Sequence, residues 1–205
     1  MLYAPKRNLA FLHCMKTGGT SVRAWWEETF AGETVRIYRQ HYHESLADKM
    51  YAAGRLLKDV NIFTLIRNPY AIPVSTYHFF QKLENDPRPE AIEIRNMSWS
   101  DYISRFVDMA YRKQGDVPMS FWDYFNIDGE VPDNLHIIRL EEIDTLPDII
   151  NLRFGVRIPV NIPFINQSEH DSISSYYDDD TAAHIRRLYK WTFDKGYYDA
   201  DWRQA

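Results

Sequence analysis

Six consecutive residues, Lys16-Thr17-Gly18-Gly19-Thr20-Ser21, bring together one ammonium, two glycines and three hydroxyls. The apolar run NLAFLHCM at residues 8–15 precedes them. Val22, Trp25, Trp26, Thr29 and Phe30 follow at the three-and-four spacing of a helix stripe. A turn from a buried strand into a helix aims unbonded amide N–H groups and the positive helix end at one point, which is an anion site. The glycines let the backbone approach phosphate oxygens, and the hydroxyls and the lysine add donors. An ordinary strand-to-helix turn with incidental glycines is the competing reading. The order differs from the nucleoside-triphosphate loop G-x-x-x-x-G-K-[ST], because here the lysine precedes the glycines. A lysine arising at the strand end can face a bridging phosphate oxygen instead of following the phosphates into the helix.

A second anion-binding pattern lies further along. Arg67-Asn68-Pro69 closes the apolar run NIFTLIR at residues 61–67, and Ser75 stands eight residues after Arg67. A guanidinium offers phosphate a two-pronged donor, and a hydroxyl near a helix start adds a directional one. Pro69 suits a first helical turn. Pro73 removes a helical hydrogen bond and is expected to delay the regular helix.

His41 and His43, in Gln40-His41-Tyr42-His43-Glu44, are candidates for proton transfer. Two histidines at i and i+2 of an extended segment share a side, and a neutral imidazole can accept a hydroxyl proton near neutral pH. Polar surface and a metal-binding pair are the competing uses of the same residues. His13, His78, His136, His170 and His184 are read as structural or exposed, and Cys14 as a small core residue.

Strand, K-T-G-G-T-S and amphipathic helix together resemble the 5′-phosphosulfate loop of the sulfotransferases that use 3′-phosphoadenosine 5′-phosphosulfate (PAPS). Arg67, Pro69 and Ser75 are similar in kind and spacing to that family's 3′-phosphate site. Arg139-Leu140-Glu141-Glu142, Asn166-Gln167-Ser168 and FDKGYY at residues 193–198 also resemble its later segments, less specifically. Ser21 stands where the cytosolic small-molecule enzymes carry tryptophan, so the resemblance is to the carbohydrate-type branches, and the adenine contact stays unassigned.

The resemblance implies a P-loop-like fold and transfer of a sulfuryl group from PAPS to an acceptor hydroxyl, leaving PAP. It implies that Lys16 faces the bridging oxygen and stabilises the leaving group. Amides of Thr17, Gly18, Gly19, Thr20 and Ser21, with the Thr20 and Ser21 hydroxyls, would hold the 5′-phosphate, and Arg67 and Ser75 the 3′-phosphate. The placement of H-x-H resembles that of the uronyl-type carbohydrate enzymes, whose base is histidine. His43 is taken ahead of His41, with Glu44 as the fallback that other branches suggest. No metal is required. The acceptor is a small molecule or a saccharide.

These residues need a frame to position them. Strands are expected at 8–15, 35–40, 61–67 and 134–143, and helices after Gly19, from Ser45 to about residue 58, from Pro69 toward Leu83, and at 98–113 and 146–154. A last helix is capped within residues 178–180 and stops at Gly196. Alternation of strands and helices predicts an α/β protein with a mainly parallel sheet flanked by helices, in one domain spanning 1–205. Ligands are then expected beyond the carboxyl ends of the strands.

The bulk properties set limits. With 205 residues the chain can bury a sizeable core, and 45% hydrophobic with 26% charged residues is an ordinary globular balance. A net charge of −5 weighs against a nucleic-acid partner, although a local basic pocket for a small anion is compatible with it. Aromatic residues at 15% suit an aromatic-rich core or a stacking surface for sugars. The single cysteine excludes an internal disulfide framework and fits a cytoplasmic setting. No membrane span is expected. Two other functions remain open at this point. One is a non-catalytic module that binds PAP. The other is a nucleoside-triphosphate phosphotransferase, disfavoured by the lysine's position, with Asp144 as the nearest candidate to hold magnesium.

Overall fold

The computed structural model describes residues 1–38, 44–84, 87, 89–112, 120–158, 162–163, 165 and 170–205. In chain order the strands are β1 (Leu2–Ala4), β2 (Leu9–Leu12), β3 (Val35–Arg36), β4 (Asn61–Ile66) and β5 (Leu135–Arg139). The helices are α1 (Gly19–Thr29), α2 (Leu46–Ala53), α3 (Ala71–Lys82), α4 (Pro89–Arg95), α5 (Trp99–Arg112), α6 (Phe121–Phe125), α7 (Leu146–Phe154), α8 (Asp179–Leu188) and α9 (Lys190–Asp194). They form two compact units, Met1–Arg67 with Trp122–Asn166, and Asn68–Phe121 with Gln167–Ala205.

The first unit is a five-stranded sheet in the order β3-β1-β2-β4-β5, flanked by helices. β2, β4 and β5 run parallel, with Leu12 opposite Thr64 and Ile66 opposite Arg139. β1 is antiparallel to both of its neighbours, β2 and β3. The sheet is therefore mixed, which corrects the expectation of a mainly parallel one. The cause is a hairpin. Pro5–Arg7 makes one 3-10 turn and Asn8 adopts the left-handed region at φ 50°, so the chain folds back and β1 pairs with β2. Asn8 also anchors the neighbouring strand, since its carbonyl accepts from the Asn61 N–H at 3.1 Å.

Every residue of β2 is buried, as is β4 from Ile62 to Ile66, which explains their unbroken apolar sequences. Leu9, Phe11, Phe63, Leu65 and Ile138 point to one face, where α1 and α7 cover them with Val22, Trp25, Trp26, Leu146 and Ile150. The expected stripe of α1 is thus the inward one. Asn134 ties strand starts together, donating from Nδ2 to the Val60 carbonyl at 2.8 Å and the Leu57 carbonyl at 3.2 Å.

Other expected boundaries shift for local reasons. The strand foreseen at 35–40 is described only as Val35–Arg36, and residues 39–40 lie outside the described residues. The strand foreseen at 134–143 ends at Arg139, where the chain turns into a 3-10 stretch, Leu140–Thr145. α4 and α6 are short helices without an expected counterpart.

The second unit is helical. Tyr77, Trp99, Tyr102 and Tyr177 form an aromatic cluster where α3 and α5 meet the segment before α8. Pro73 is third in α3, in the first turn, where the N–H groups have no helical acceptor, so it does not delay the helix. Asp178 caps α8, accepting the Thr181 N–H at 2.8 Å, as its position predicts. No helix among the described residues is long and apolar enough to cross a membrane.

Trp26 is wholly buried, lies against Phe30 and Phe63, and donates from Nε1 to the Thr34 hydroxyl at 3.0 Å. Trp26→Ala should therefore lower unfolding free energy by about 3–5 kcal/mol in a denaturant titration. A loss under about 1 kcal/mol would mean that α1 is not seated on the sheet as described.

Candidate anion site

The first unit builds its site where β2 and β4 end. The chain leaves β2 through His13, Cys14 and Met15, turns at Lys16 and enters α1 at Gly19. Lys16 adopts φ 63°, a left-handed conformation that costs a residue with a Cβ about 1–2 kcal/mol. Surroundings enforce it. The Met15 N–H donates to the Tyr124 hydroxyl at 3.3 Å, and the buried Thr17 hydroxyl donates back to the Cys14 carbonyl at 3.0 Å.

Gly18 is the N-cap of α1, also left-handed at φ 75°. A Cβ there would come within 2.5 Å of Leu140 Cδ1, and a Cβ on Gly19 would stand 1.9 Å from the His13 ring. Both glycines are therefore required, one by backbone conformation and one by the imidazole against it. The Ser21 and Val22 N–H groups donate to the Gly18 carbonyl at 3.0 and 3.3 Å. The earlier amides of α1, on Gly19 and Thr20, have no acceptor within the helix by its geometry. Thr20 is exposed in that first turn, whereas Ser21 is buried and its hydroxyl accepts the Ile165 N–H at 3.0 Å. Amides and Thr20 are thus the donors the turn presents most openly.

Arg67 follows the last residue of β4, half-buried. Because β2 and β4 are adjacent and parallel, the two cations issue from neighbouring strand ends. Their proximity has an electrostatic consequence. Burial, and then the Arg67 charge, push the Lys16 amine down from 10.5 to about 8. The third parallel strand ends in Arg139, whose guanidinium is held by Glu142 at 2.6 Å and in turn keeps that carboxyl below its usual range.

Ser75 belongs to the second unit, fifth in α3 and buried. His41 and His43 lie outside the described residues. Glu44 is described, with a side chain only 3% exposed that contacts Lys49 at 3.2 Å. Among the described residues, no group of three or more histidine, cysteine, aspartate or glutamate side chains is arranged to hold a metal ion. Cys14 is buried, and burial pushes its thiol up to about 12, in keeping with a core role. Three participants were not expected from the sequence: His13 as the wall against Gly19, Leu140 against Gly18, and Tyr124 behind Met15. Only distant contacts give them these roles, so no local pattern marks them.

Protein-family models give no match to the chain, and neither do curated proteins.

The lowered Lys16 amine predicts a pH dependence. The unfolded chain binds this proton up to about pH 10.4, the folded chain only up to about 8, so folding is disfavoured by Lys16 below that window. Unfolding free energy measured against Lys16→Met should show the parent gaining on the variant as pH rises from 8 to 10. A flat difference would mean that Lys16 is not buried beside Arg67.

Proposed function

We propose that the protein is a PAPS-dependent sulfotransferase that moves a sulfuryl group to an acceptor hydroxyl. The observation that carries the reading is the convergence of Lys16 and Arg67 beside a glycine-built amide turn. Like charges drawn together and partly withdrawn from water repel, and an anion of high charge relieves them. The residues present suit PAPS. The turn has Gly18 and Gly19 where a Cβ would clash, and the lysine stands ahead of the amides.

In this reading the Gly18, Gly19 and Thr20 amides with the Thr20 hydroxyl hold the 5′-phosphate. Arg67 is assigned to the 3′-phosphate, with Ser75 joined to it by its spacing of eight residues in the chain. Bound PAPS supplies the sulfuryl group and a phosphate leaving group. His43, or His41 beside it, accepts the acceptor hydroxyl's proton as the new O–S bond forms. Lys16 directs its ammonium at the oxygen that gains charge as the old S–O bond breaks, and its lowered amine makes it a strong donor there. Glu44 is a poorer base, because a buried ammonium already holds its carboxylate. The acceptor class is a saccharide or other small hydroxylated molecule, and the setting is cytoplasmic.

Calorimetric titration in the presence of chelator should show PAP binding more tightly than ATP with magnesium. A preference for ATP·Mg would replace this reading with a phosphotransferase. PAP binding near pH 8.5 should also take up a proton, seen as heats that vary with buffer ionisation enthalpy, since a bound anion raises the Lys16 amine.

With an acceptor found by screening labelled PAPS against saccharides and small alcohols, Lys16→Ala should nearly abolish turnover, and Arg67→Ala should chiefly weaken PAP binding. His43→Ala should lower the rate by roughly 10²-fold or more with PAP affinity kept. Near-normal turnover in that variant would move the role to His41.

A further inference from the structure

The chain that leads into α8 is fastened within the second unit by two neighbouring tyrosines of different kinds. Tyr177 is buried, and its hydroxyl donates to the Tyr70 carbonyl at 2.7 Å. Burial pushes that phenol well above its usual range, so it keeps its proton at any physiological pH. Tyr176, the last residue of the 3-10 turn Ile173–Tyr176, is half-buried and held twice. Its carbonyl accepts from Trp99 Nε1, and its hydroxyl lies 2.7 Å from His78 Nε2. This second fastening has an imidazole at its centre, the side chain that titrates near neutral pH.

Three rings meet at that point. Tyr176 stands nearly perpendicular to His78 and to His170, with ring centroids 5.5 and 6.5 Å away, and the two imidazoles are 6.0 Å apart. Tyr77 lies beside His78 on α3, centroid to centroid 5.5 Å. His170 Nδ1 meets the Asp171 carbonyl at 2.9 Å. Lys82 is four residues beyond His78 and so one turn along the same face of α3. The groups around His78 are therefore Tyr77 and Lys82 from its own helix, and His170, Asp171 and Tyr176 from the segment. Trp99, which α5 brings to Tyr176, carries no charge. Burial, then His170 and then Lys82 hold the His78 imidazole below its ordinary range, with Asp171 acting in the opposite sense.

We propose that His78 and His170 form an acid-sensitive latch on residues 170–176, which holds the segment against α3 while the imidazoles are neutral and loosens when they are protonated. All of its residues belong to the second unit, and it does not rest on the sulfotransferase reading. A neutral His78 accepts the Tyr176 hydroxyl proton at Nε2. A protonated one can only donate, so the phenol must turn its hydrogen away. Two imidazolium rings and the Lys82 ammonium then crowd one carboxylate, that of Asp171. His78 binds its proton more weakly with the segment docked than with it released. Docking is thus complete above about pH 6.5 and is lost as pH falls below that value. Tyr177 stays anchored throughout, so the loosening is confined to the segment before it.

The test follows exchange of hydrogen-bonded protons in the whole isotope-labelled chain by NMR, from about pH 7.5 to about pH 5.5. Two protons report the latch: the Trp99 indole N–H on the Tyr176 carbonyl, and the Ser175 N–H on the Ser172 carbonyl at 2.9 Å. Corrected for the intrinsic pH dependence of exchange, protection of both should fall severalfold across this range. The Tyr189 N–H, which donates to the Ile185 carbonyl at 2.9 Å, should stay protected. His78→Gln keeps a side chain able to bond the Tyr176 hydroxyl but takes no charge, and its protection should not change with pH. Lys82→Met should reduce the fall, and Asp171→Asn should deepen it. Equal protection at both ends of the range in the parent would overturn the latch, as would a fall in His78→Gln as large as the parent's. Should His78→Gln not fold, the other two variants decide: opposite changes in the fall support the latch, and an unchanged fall in both overturns it.

Discussion

Parallel pairing between β2 and β4 is the constraint on which the arrangement of the candidate site depends. Leu9 to Leu12 lie in register with Asn61 to Thr64, and these strands are buried almost throughout. Burial fixes the register, because slipping one residue would exchange the faces that carry Phe11 and Phe63. Parallel strands end on the same side, so the chain leaves the sheet twice at neighbouring points. The residues placed there, Lys16 and Arg67, meet because topology brings them together and despite their like charge. An antiparallel arrangement of the same strands would have separated them by the length of the sheet.

The rest of the sheet is subordinate to that pair. β1 turns back on β2 and carries β3 at the outer edge, where β3, antiparallel to β1, runs in the same direction as β2 and ends on the same side of the sheet. β5 extends the sheet at its other edge and also adds an end, but Arg139 there is held by Glu142. Its contribution is steric. The chain beyond Arg139 brings Leu140 against Gly18, whose left-handed φ of 75° already favours a residue without a Cβ. Two strand ends provide charge, and the third helps set the shape of the amide turn.

What the sequence revealed was what is local. Residues 16–21 carry their conformation in their own composition, and the stripe of Val22, Trp25 and Trp26 states which face of α1 is buried. The run at 61–66 reads as a buried strand because it is one. Non-local features were hidden for corresponding reasons. β1 is three residues long, and only its pairing with β2 makes it a strand. Pro73 looks like a helix breaker until the helix start is known to be Ala71. Lys49 occupies the inward face of α2 but counts as polar in any periodicity, so its burial could not be seen without Glu44 in place beside it. His13 becomes a wall of the turn only through contact with a glycine six residues on.

Unusual backbone and close packing meet in the same few residues. Lys16 is left-handed without being glycine, Gly18 is left-handed under Leu140, and Gly19 lies flat against an imidazole. Of these, the left-handed Lys16 costs stability that a plain strand-to-helix turn would keep. Their common effect is a turn whose amides are already arrayed before any ligand arrives. Neighbouring contacts from Tyr124 and Thr17 hold it in that form. A preformed donor array need not be ordered on binding, so it can favour developing negative charge without first reorganising. A depressed Lys16 amine follows the same logic, because burial first and then the Arg67 charge lower it, and an anion beside it would act in the opposite sense. Strain in the backbone and repulsion between the cations are therefore two forms of one design, in which the unliganded turn is less stable than it could be.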